Sequence, residues 1–407
     1  MVKEDSKLYF IFLMIFLCLN DIFDSYCTNF PNAVMHEVVN YFSISESYYL
    51  IAIGFASIGT YLVFINQHLA DLFGRRVLIF ITLLGMGLSS LAVLLSQDFI
   101  QYTIALFFMY IFFSSDIWQI YLSEQCSEKH RAKLISLVLI VGAIGGALTL
   151  PLFRSLFLSN YGWRAMTWFA LIAIPLSFIV FIFKEPKVYR NRPKNKENIS
   201  KIKKVLNDFK LVFSKNLIKS SITICLLGFA VGFNYVFALS GERYLANYKN
   251  LSSNEIDLVI TIIGLGAIAG YILSGFIADQ FGRKIVIYLF SILIIPGFII
   301  IIFGDLILII IGSFIVSSSY WALFVTSRMI AYEIFPTNIR GTGAGFRSLS
   351  FAIGVTLGSI STSFTLLYVG LGFSYILNSL LLILILPLIA IFIKETKGIA
   401  LNSLDII

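Results

Sequence analysis

Apolar stretches of about twenty residues alternate with short polar breaks along the whole chain. Twelve can be marked: 8–28, 47–65, 77–96, 100–121, 135–157 and 165–183, then 220–240, 256–275, 285–303, 306–331, 345–367 and 373–393. A helix that crosses a bilayer needs ~20 mostly apolar residues. Lipid offers no hydrogen bonds to backbone groups, so a spanning segment satisfies them internally as a helix. The pattern predicts an all-α membrane protein of twelve transmembrane helices in two pseudo-symmetric six-helix bundles. Residues 1–183 form the N-terminal bundle, 184–219 a cytosolic basic linker and 220–407 the C-terminal bundle.

Composition narrows the class. Of 407 residues 58% are hydrophobic and 13% charged, against roughly 25% charged in soluble domains. Such a chain has too few charges to clothe a water-facing surface. Its partner is the lipid bilayer. The net charge of +8 is concentrated in the linker: Lys184–Lys219 holds twelve Lys/Arg and three Asp/Glu. A basic run can signal nucleic acid, but beside membrane helices it marks a cytosolic loop, and no nucleic-acid partner is implied. With the N-terminus in the cytosol, 24 basic residues fall inside and only Arg154, Arg164, Arg243 and Lys249 fall in outside loops. That split predicts cytosolic termini and suits a multi-pass protein of the plasma membrane. The linker's later part, Ile199–Phe213, has apolar residues at helical spacing and reads as a surface-lying amphipathic helix or a solvated tether. The first apolar run carries Asp21 and Asp24 and lacks a cleavage site, so it reads as a retained helix.

Other chemistries find no support. Cys18, Cys27, Cys126 and Cys225 have neither metal nor disulfide spacing, and His36, His68 and His130 read as loop residues away from carboxylate pairs. No Gly-rich phosphate loop with Lys is present. The expectation is no metal, no cofactor, no enzyme and no ATP-driven pump.

A polar string recurs. Ala70-Asp71-Leu72-Phe73-Gly74-Arg75-Arg76 returns 208 positions on as Ala278-Asp279-Gln280-Phe281-Gly282-Arg283-Lys284. Glu124 with Arg131 is matched by Glu333 with Arg340 at an offset of 209, and Ala143-Ile144-Gly145 by Ala352-Ile353-Gly354. Lys184-Glu185-Pro186-Lys187 is matched by Lys394-Glu395-Thr396-Lys397 at 210. Internal repeats of membrane helices are how many secondary transporters are built.

These strings resemble the loop motif of the major facilitator superfamily, Gly-x-Leu-Ala-Asp-Arg-x-Gly-Arg-Arg, over essentially the whole chain. Gln67 stands for the first Gly and Leu72 for an Arg; the second copy, from Gly275, keeps the Gly. Glu333-Ile334-Phe335-Pro336-Thr337 with Arg340-Gly341-Thr342-Gly343, and Lys394-Glu395-Thr396-Lys397-Gly398, resemble the sugar-porter and organic-ion branch. Asp21-Ile22-Phe23-Asp24 is similar to a helix-1 signature of aromatic-acid:proton symporters, with Ile22 in place of Gly. The resemblance implies a cytosolic gate of Asp71, Gly74, Arg75, Arg76, Glu124 and Arg131, mirrored by Asp279, Gly282, Arg283, Lys284, Glu333 and Arg340. In it, the motif Asp faces a helix N-terminus, which carries partial positive charge. The alternative is plain interfacial anchoring by basic residues.

Charges inside a bilayer are costly and usually functional. Asp21 and Asp24 share one face of the first helix; Asp116 lies in the fourth, eight positions before Glu124. They are the proton-site candidates, the alternative being hydration of a helix end. Arg328 and Arg347 are the candidate cations, either reaching the interface or turning inward to an anion. Trp118, Gln119, Asn234, Tyr235, Tyr320 and Trp321 are candidate cavity-lining groups, or else packing residues. The expected function is secondary active transport of a small organic solute, an organic acid or sugar-like metabolite, by alternating access in proton symport, in a protein acting as a monomer. The alternatives are a proton-driven drug or metabolite exporter, and a non-transporting membrane sensor of the same fold.

Overall fold

The computed structural model describes residues 7–62, 69–70, 73–112, 117–126, 128–185, 210–335 and 339–397. Every regular element among them is helical. By length and composition, nine of the described segments can cross a membrane: Lys7–Asn29, Arg75–Leu95, Leu137–Leu158, Trp163–Ile182, Ile218–Asn247, Ser253–Phe281, Arg283–Phe303, Leu306–Ile334 and Thr342–Phe392. The last, 51 residues long, is more than twice what a hydrocarbon core of about 30 Å needs. Gly370, with φ 76° inside it, divides the run. The apolar stretches 47–65 and 100–121 run into residues outside the description. Helix is seen there at Glu46–Ala56, Phe99–Phe112 and Ile117–Gln125.

Local chemistry sets several ends. Asp305 starts Leu306–Ile334 by accepting from Leu308 N at 3.1 Å, and Ser45 starts Glu46–Ala56 by accepting from Tyr48 N at 3.2 Å, both ordinary N-caps. Other ends overrun the hydrophobic pattern. Helix continues over Val236–Asn247, and Ser253–Phe281 extends at both ends. Three residues read as loop residues therefore stand on helical backbone. Arg243 lies in Val236–Asn247, Arg154 in the Leu137–Leu158 span and His36 in the short helix Met35–Tyr41. Polar pairing carries helix past the apolar boundary here, since a charge with a partner need not leave the helix to find water.

By its contacts the chain forms two compact units: Met1–Pro193 with Leu239–Gly264, and Lys194–Ala238 with Leu265–Ile407. In the first, the Lys7–Asn29 helix lies against Glu128–Ile144 and its π-wound continuation Gly145–Thr149. Small residues permit this approach: a side chain on Gly142 would collide with the Asp21 carboxylate, and one on Gly146 with Ser25 Oγ. Pro151, which lacks an N–H, separates this π stretch from a second, Arg154–Leu158. In the second unit, Ile218–Phe233 packs closely on the Arg340–Phe392 run. A Cβ on Gly228 would come within 2.7 Å of the Arg347 carbonyl, and one on Gly232 would strike the Phe351 backbone.

Replacing Gly232 by Ala should therefore lower the thermal unfolding midpoint of the detergent-purified protein clearly, by overpacking costs of about 1–3 kcal/mol. Gly275→Ala, where nothing lies within 4 Å, should leave the midpoint unchanged or raise it. Equal midpoints for both variants would contradict this packing.

Candidate functional site

The repeated string folds into the same corner twice, once in each unit. Gly74 has φ 102°, ψ 151° and Gly282 φ 107°, ψ 159°. Only glycine adopts this region readily. Each glycine ends one helix and opens the next, so the following amides point outward without helical partners. A distant glutamate accepts them. Glu185 takes Arg75 N at 2.5 Å and Arg76 N at 3.2 Å; Glu395 takes Arg283 N at 2.8 Å and Lys284 N at 3.1 Å. The basic side chains reach back: Arg75 Nη1 donates to Ala70 O at 3.1 Å and Arg283 Nη1 to Ala278 O at 3.0 Å. Arg76 Nη1 donates to Phe183 O at 2.9 Å and Lys284 Nζ to Ala390 O at 3.0 Å. Burial alone would raise the Glu395 pKa, but backbone N–H groups of Arg283, Lys284, Lys397 and Thr396 outweigh it and hold the carboxyl below its usual value.

The second corner carries more charge. Arg283 Nη2 pairs with Glu333 Oε1 at 3.0 Å, and Thr396 Oγ1 donates to Glu333 Oε2. Asp279 is 76% exposed at its side chain and meets Arg283 Nη1 at 3.4 Å. Asp71 lies outside the described residues, as do the side chains of Glu124, Arg131 and Arg340. Arg283, Glu333 and Asp279 are thus brought together.

A different environment surrounds Arg347. It is 1% exposed. Its Nη2 donates to Phe324 O at 3.2 Å and to Ser327 Oγ. Its guanidinium lies 5.0 Å from the Phe324 ring centre and 5.3 Å from that of Phe351. No carboxylate pairs with it among the described residues, and its Nε is buried without a partner among them, as is the Tyr320 hydroxyl. Tyr235 and Tyr320 lie 5.8 Å apart, Tyr320 and Trp321 5.5 Å, and Phe324 and Phe351 5.1 Å. Of the sequence candidates, Tyr235, Tyr320, Trp321 and Arg347 are thus gathered in one unit. Arg328, half-buried, stacks on the same Phe324 ring at 5.4 Å.

Asn234 stands apart from this group. Its amide donates to Ala230 O at 2.9 Å and Asn378 O at 3.1 Å and accepts from Ser379 Oγ at 2.9 Å, which commits it to its neighbours. In the first unit Asp21 is 8% exposed on the Lys7–Asn29 helix, in the space left by Gly142, and Asp24 is half-buried one turn on. Trp118 is buried. Asp116 and the Gln119 side chain lie outside the described residues.

Comparison with known proteins agrees with this geometry. The Major Facilitator Superfamily profile matches residues 12–242 and 222–404. The chain belongs to the major facilitator superfamily. Among curated members it is 26% identical over 323 residues to the sialic acid transporter NanX of Escherichia coli, covering 75% of each chain. It is 25% identical to the putative niacin/nicotinamide transporter NiaP of Bacillus subtilis, over 81% of this chain and 82% of that one. The cis,cis-muconate transport protein of Acinetobacter baylyi is likewise 25% identical, over 80% of each. Among solved structures, the inward-open conformation of the Escherichia coli xylose transporter XylE superposes with a TM-score of 0.74 at 18% identity, over 97% of this chain and 99% of that one. The nucleoside transporter NupG gives 0.74 at 14% identity, over 94% and 100%. The protein is therefore a multi-pass membrane protein of a secondary-transport superfamily whose members carry organic solutes and are not enzymes.

Sequence reasoning passed over two sets of residues. Glu185 and Glu395 were visible as a repeat but carried no expected role. Their contacts to the corner amides span 110 and 112 positions. The second set is a charge cluster around Arg154, formed with Glu37, Glu242 and Asp257. Its members are scattered single charges in the chain, and only folding places them together.

Replacing Glu185 or Glu395 by Ala should lower the unfolding midpoint in detergent by similar amounts, about 1–3 kcal/mol each for helix-end amides left without their acceptor. Because the Glu395 pKa is lowered, its contribution should be present above the ordinary carboxylate value of about 4.3 and fade as pH falls through the lowered one. A loss in only one of the two variants would contradict the mirrored corners.

Proposed function

We propose that the protein is a proton-coupled symporter of a small organic anion. The observation that carries this is Arg347. A guanidinium withdrawn from water and lipid, with no carboxylate partner among the described residues, is an expensive arrangement. Stacking on Phe324 and Phe351 offsets part of that cost, about 2 kcal/mol when desolvated. Two donors, Arg347 Nε and the Tyr320 hydroxyl, remain buried without partners among the described residues. A carboxylate satisfies both, and the surrounding rings suit a planar or unsaturated body. The curated relatives include transporters named for sialic acid, cis,cis-muconate and niacin/nicotinamide, the first two being acids by name.

Proton coupling rests on Asp21 and Asp24, carboxylates on one face of an apolar helix. Acidic groups within a membrane span commonly mark proton relays. A proton bound there and an anion at Arg347 cross together with less charge to move. Alternating access proceeds by movement of the 1–183 and 220–407 halves, joined by the 184–219 linker, with the two glycine corners and the Arg283–Glu333 pair on the cytosolic side. The 24-to-4 division of basic residues supports cytosolic termini in a plasma membrane. The protein works as a monomer.

Matched probes test the anion site. Nicotinate should stabilise the purified protein against heat more than nicotinamide does, through mass action on the folded state. Arg347→Gln should abolish that difference. Loss of a charge-assisted hydrogen bond, about 1.5–3 kcal/mol, corresponds to roughly 10- to 100-fold in affinity. cis,cis-Muconate serves as a second probe. Equal stabilisation by both acids in wild type and Arg347→Gln would rule the site out.

Asp21→Asn and Asp24→Asn test coupling. In proteoliposomes, uptake by wild type should rise with an inward proton gradient, and at least one Asn variant should lose that response while still exchanging solute. Retention of the full response by both variants would contradict coupling at this helix.

A further inference from the structure

The charges around Arg154 do not balance. Arg154 is 2% exposed. Its Nε donates to Ala33 O at 2.8 Å and its Nη1 to Asp257 Oδ1 at 2.9 Å. Its Nη2 serves two carboxylates, Glu242 Oε1 at 2.8 Å and Glu37 Oε1 at 3.3 Å. One cation thus faces three acids. Asp257 has an N–H of its own, so the excess falls on Glu37 and Glu242, which converge on one nitrogen. The Glu242 side chain is 2% exposed, and its second oxygen accepts from His36 N at 2.7 Å. The second oxygen of Glu37 is different: Oε2 is buried and meets no donor among the described residues. An ionised oxygen there would be without water or partner, whereas a hydroxyl would not carry that penalty. Two carboxylates at one N–H share a proton rather than both ionise.

We propose that Glu37 and Glu242 form, on Arg154, a proton-binding site that is loaded when the Leu239–Gly264 segment is docked and emptied when it undocks. The docked segment brings Glu242, Arg243, Asn247, Tyr248 and Asp257, while Glu37, His36, Asn40, Glu46 and Arg154 come from Met1–Pro193. Undocking separates Glu242 from Arg154 and returns each carboxylate to water, where the pair no longer holds a shared proton. No bond other than O–H changes; the proton passes to and from solvent. The transporter reading supplies only the purpose of this device, a seal on the side facing away from the termini. The site itself is a property of the docked segment.

Neighbouring groups set the pH range. Arg243 Nε pairs with Glu46 Oε1 at 2.8 Å, and its Nη1 donates to His36 Nδ1 at 2.7 Å and to Asn40 Oδ1 at 2.9 Å. Arginine only donates, so His36 is neutral in the docked state. Asn247 and Tyr248 donate to Glu46 at 3.0 Å and 2.8 Å. Tyr49 stands near Glu242 and donates to Pro31 O at 3.5 Å. Glu255 turns away to Ser252. Burial, followed by the Arg243 and Arg154 charges, lowers the His36 pKa. Burial raises that of Glu37 against the pull of Arg154. The signs then differ. The His36 contribution to docking is present above the ordinary value of about 6.5 and is lost as pH falls through the lowered one. The Glu37 contribution is present below the ordinary value of about 4.3 and is lost as pH rises through the raised one. The two signs oppose, so docking should weaken on the acid side through His36 and on the alkaline side through the carboxylate pair.

The test uses the full chain in lipid nanodiscs without solute. Spin labels are placed at Gln97→Cys and Asn254→Cys, both exposed, with Cys18, Cys126 and Cys225 replaced by Ser and buried Cys27 by Ala. Pulsed distance measurements from pH 4.5 to 9.5 read the docked population. Wild type should give a bell-shaped profile. Glu242→Gln and Glu37→Gln, which carry permanently neutral amides, should each move the alkaline limb up by at least one pH unit, a tenfold change in proton activity. His36→Gln should remove the acid limb. Glu37 is partly exposed, so its variant carries the test should Glu242→Gln fail to fold. An alkaline limb unmoved in Glu37→Gln, or a docked population indifferent to pH in wild type, would overturn the proposal. Nicotinate stabilisation measured on the same preparation separates the two readings: a titrating dock without nicotinate binding removes the anion site alone, and the converse removes the proton site alone.

Discussion

The structure depends on how a chain of this composition accommodates charge where water is scarce. A buried ion is tolerated only when partners replace its hydration shell. The two largest fully buried side chains among the described residues are both arginines, Arg154 and Arg347, and they meet this constraint in opposite ways. Arg154 is over-supplied, with three carboxylates and a carbonyl. Arg347 is under-supplied, with a carbonyl, a hydroxyl and two aromatic faces. The first excess favours a bound proton and the second deficit favours a bound anion. One physical rule, applied with opposite sign, thus underlies both proposals.

The glycine corners show a third use of charge. There, carboxylates face the backbone amides of a helix start. Gly74 and Gly282 turn the chain so that the next helix begins with bare N–H groups. Glu185 and Glu395, each from the end of a later helix, close them. The contacts pin the segment after Trp163–Ile182 to the start of Arg75–Leu95, and the segment after Arg340–Phe392 to the start of Arg283–Phe303. The same geometry in both units, down to the Arg75–Ala70 and Arg283–Ala278 bonds, is duplication expressed in hydrogen bonds.

How much of this can be read from the chain follows from how far apart the partners lie. Apolar stretches of bilayer length announce helices because that signal is local. The motif copies announce a repeat because five of seven neighbouring residues survive together. The inward turn of Arg347 is not local: position alone allowed it to reach the interface, and only its packing on Phe324 and Phe351 decides. Asn234 and Tyr235 are adjacent and looked alike as cavity candidates. One is held by Asn378 and Ser379, the other joins the aromatic group. The Arg154 cluster was least legible, because its partners lie 88 to 121 positions away. Two of its members, Glu37 and Glu242, also sit past the hydrophobic boundaries that the sequence pattern marks, where charges look unremarkable.

Direct observation of the anion would test the central claim. Electron cryomicroscopy of the protein with saturating nicotinate should show density for the carboxylate within hydrogen-bonding distance of Arg347 Nε and the Tyr320 hydroxyl, with its ring beside Tyr235 and Phe351. Well-resolved density elsewhere, with Arg347 Nε and Tyr320 still without a ligand, would contradict the account.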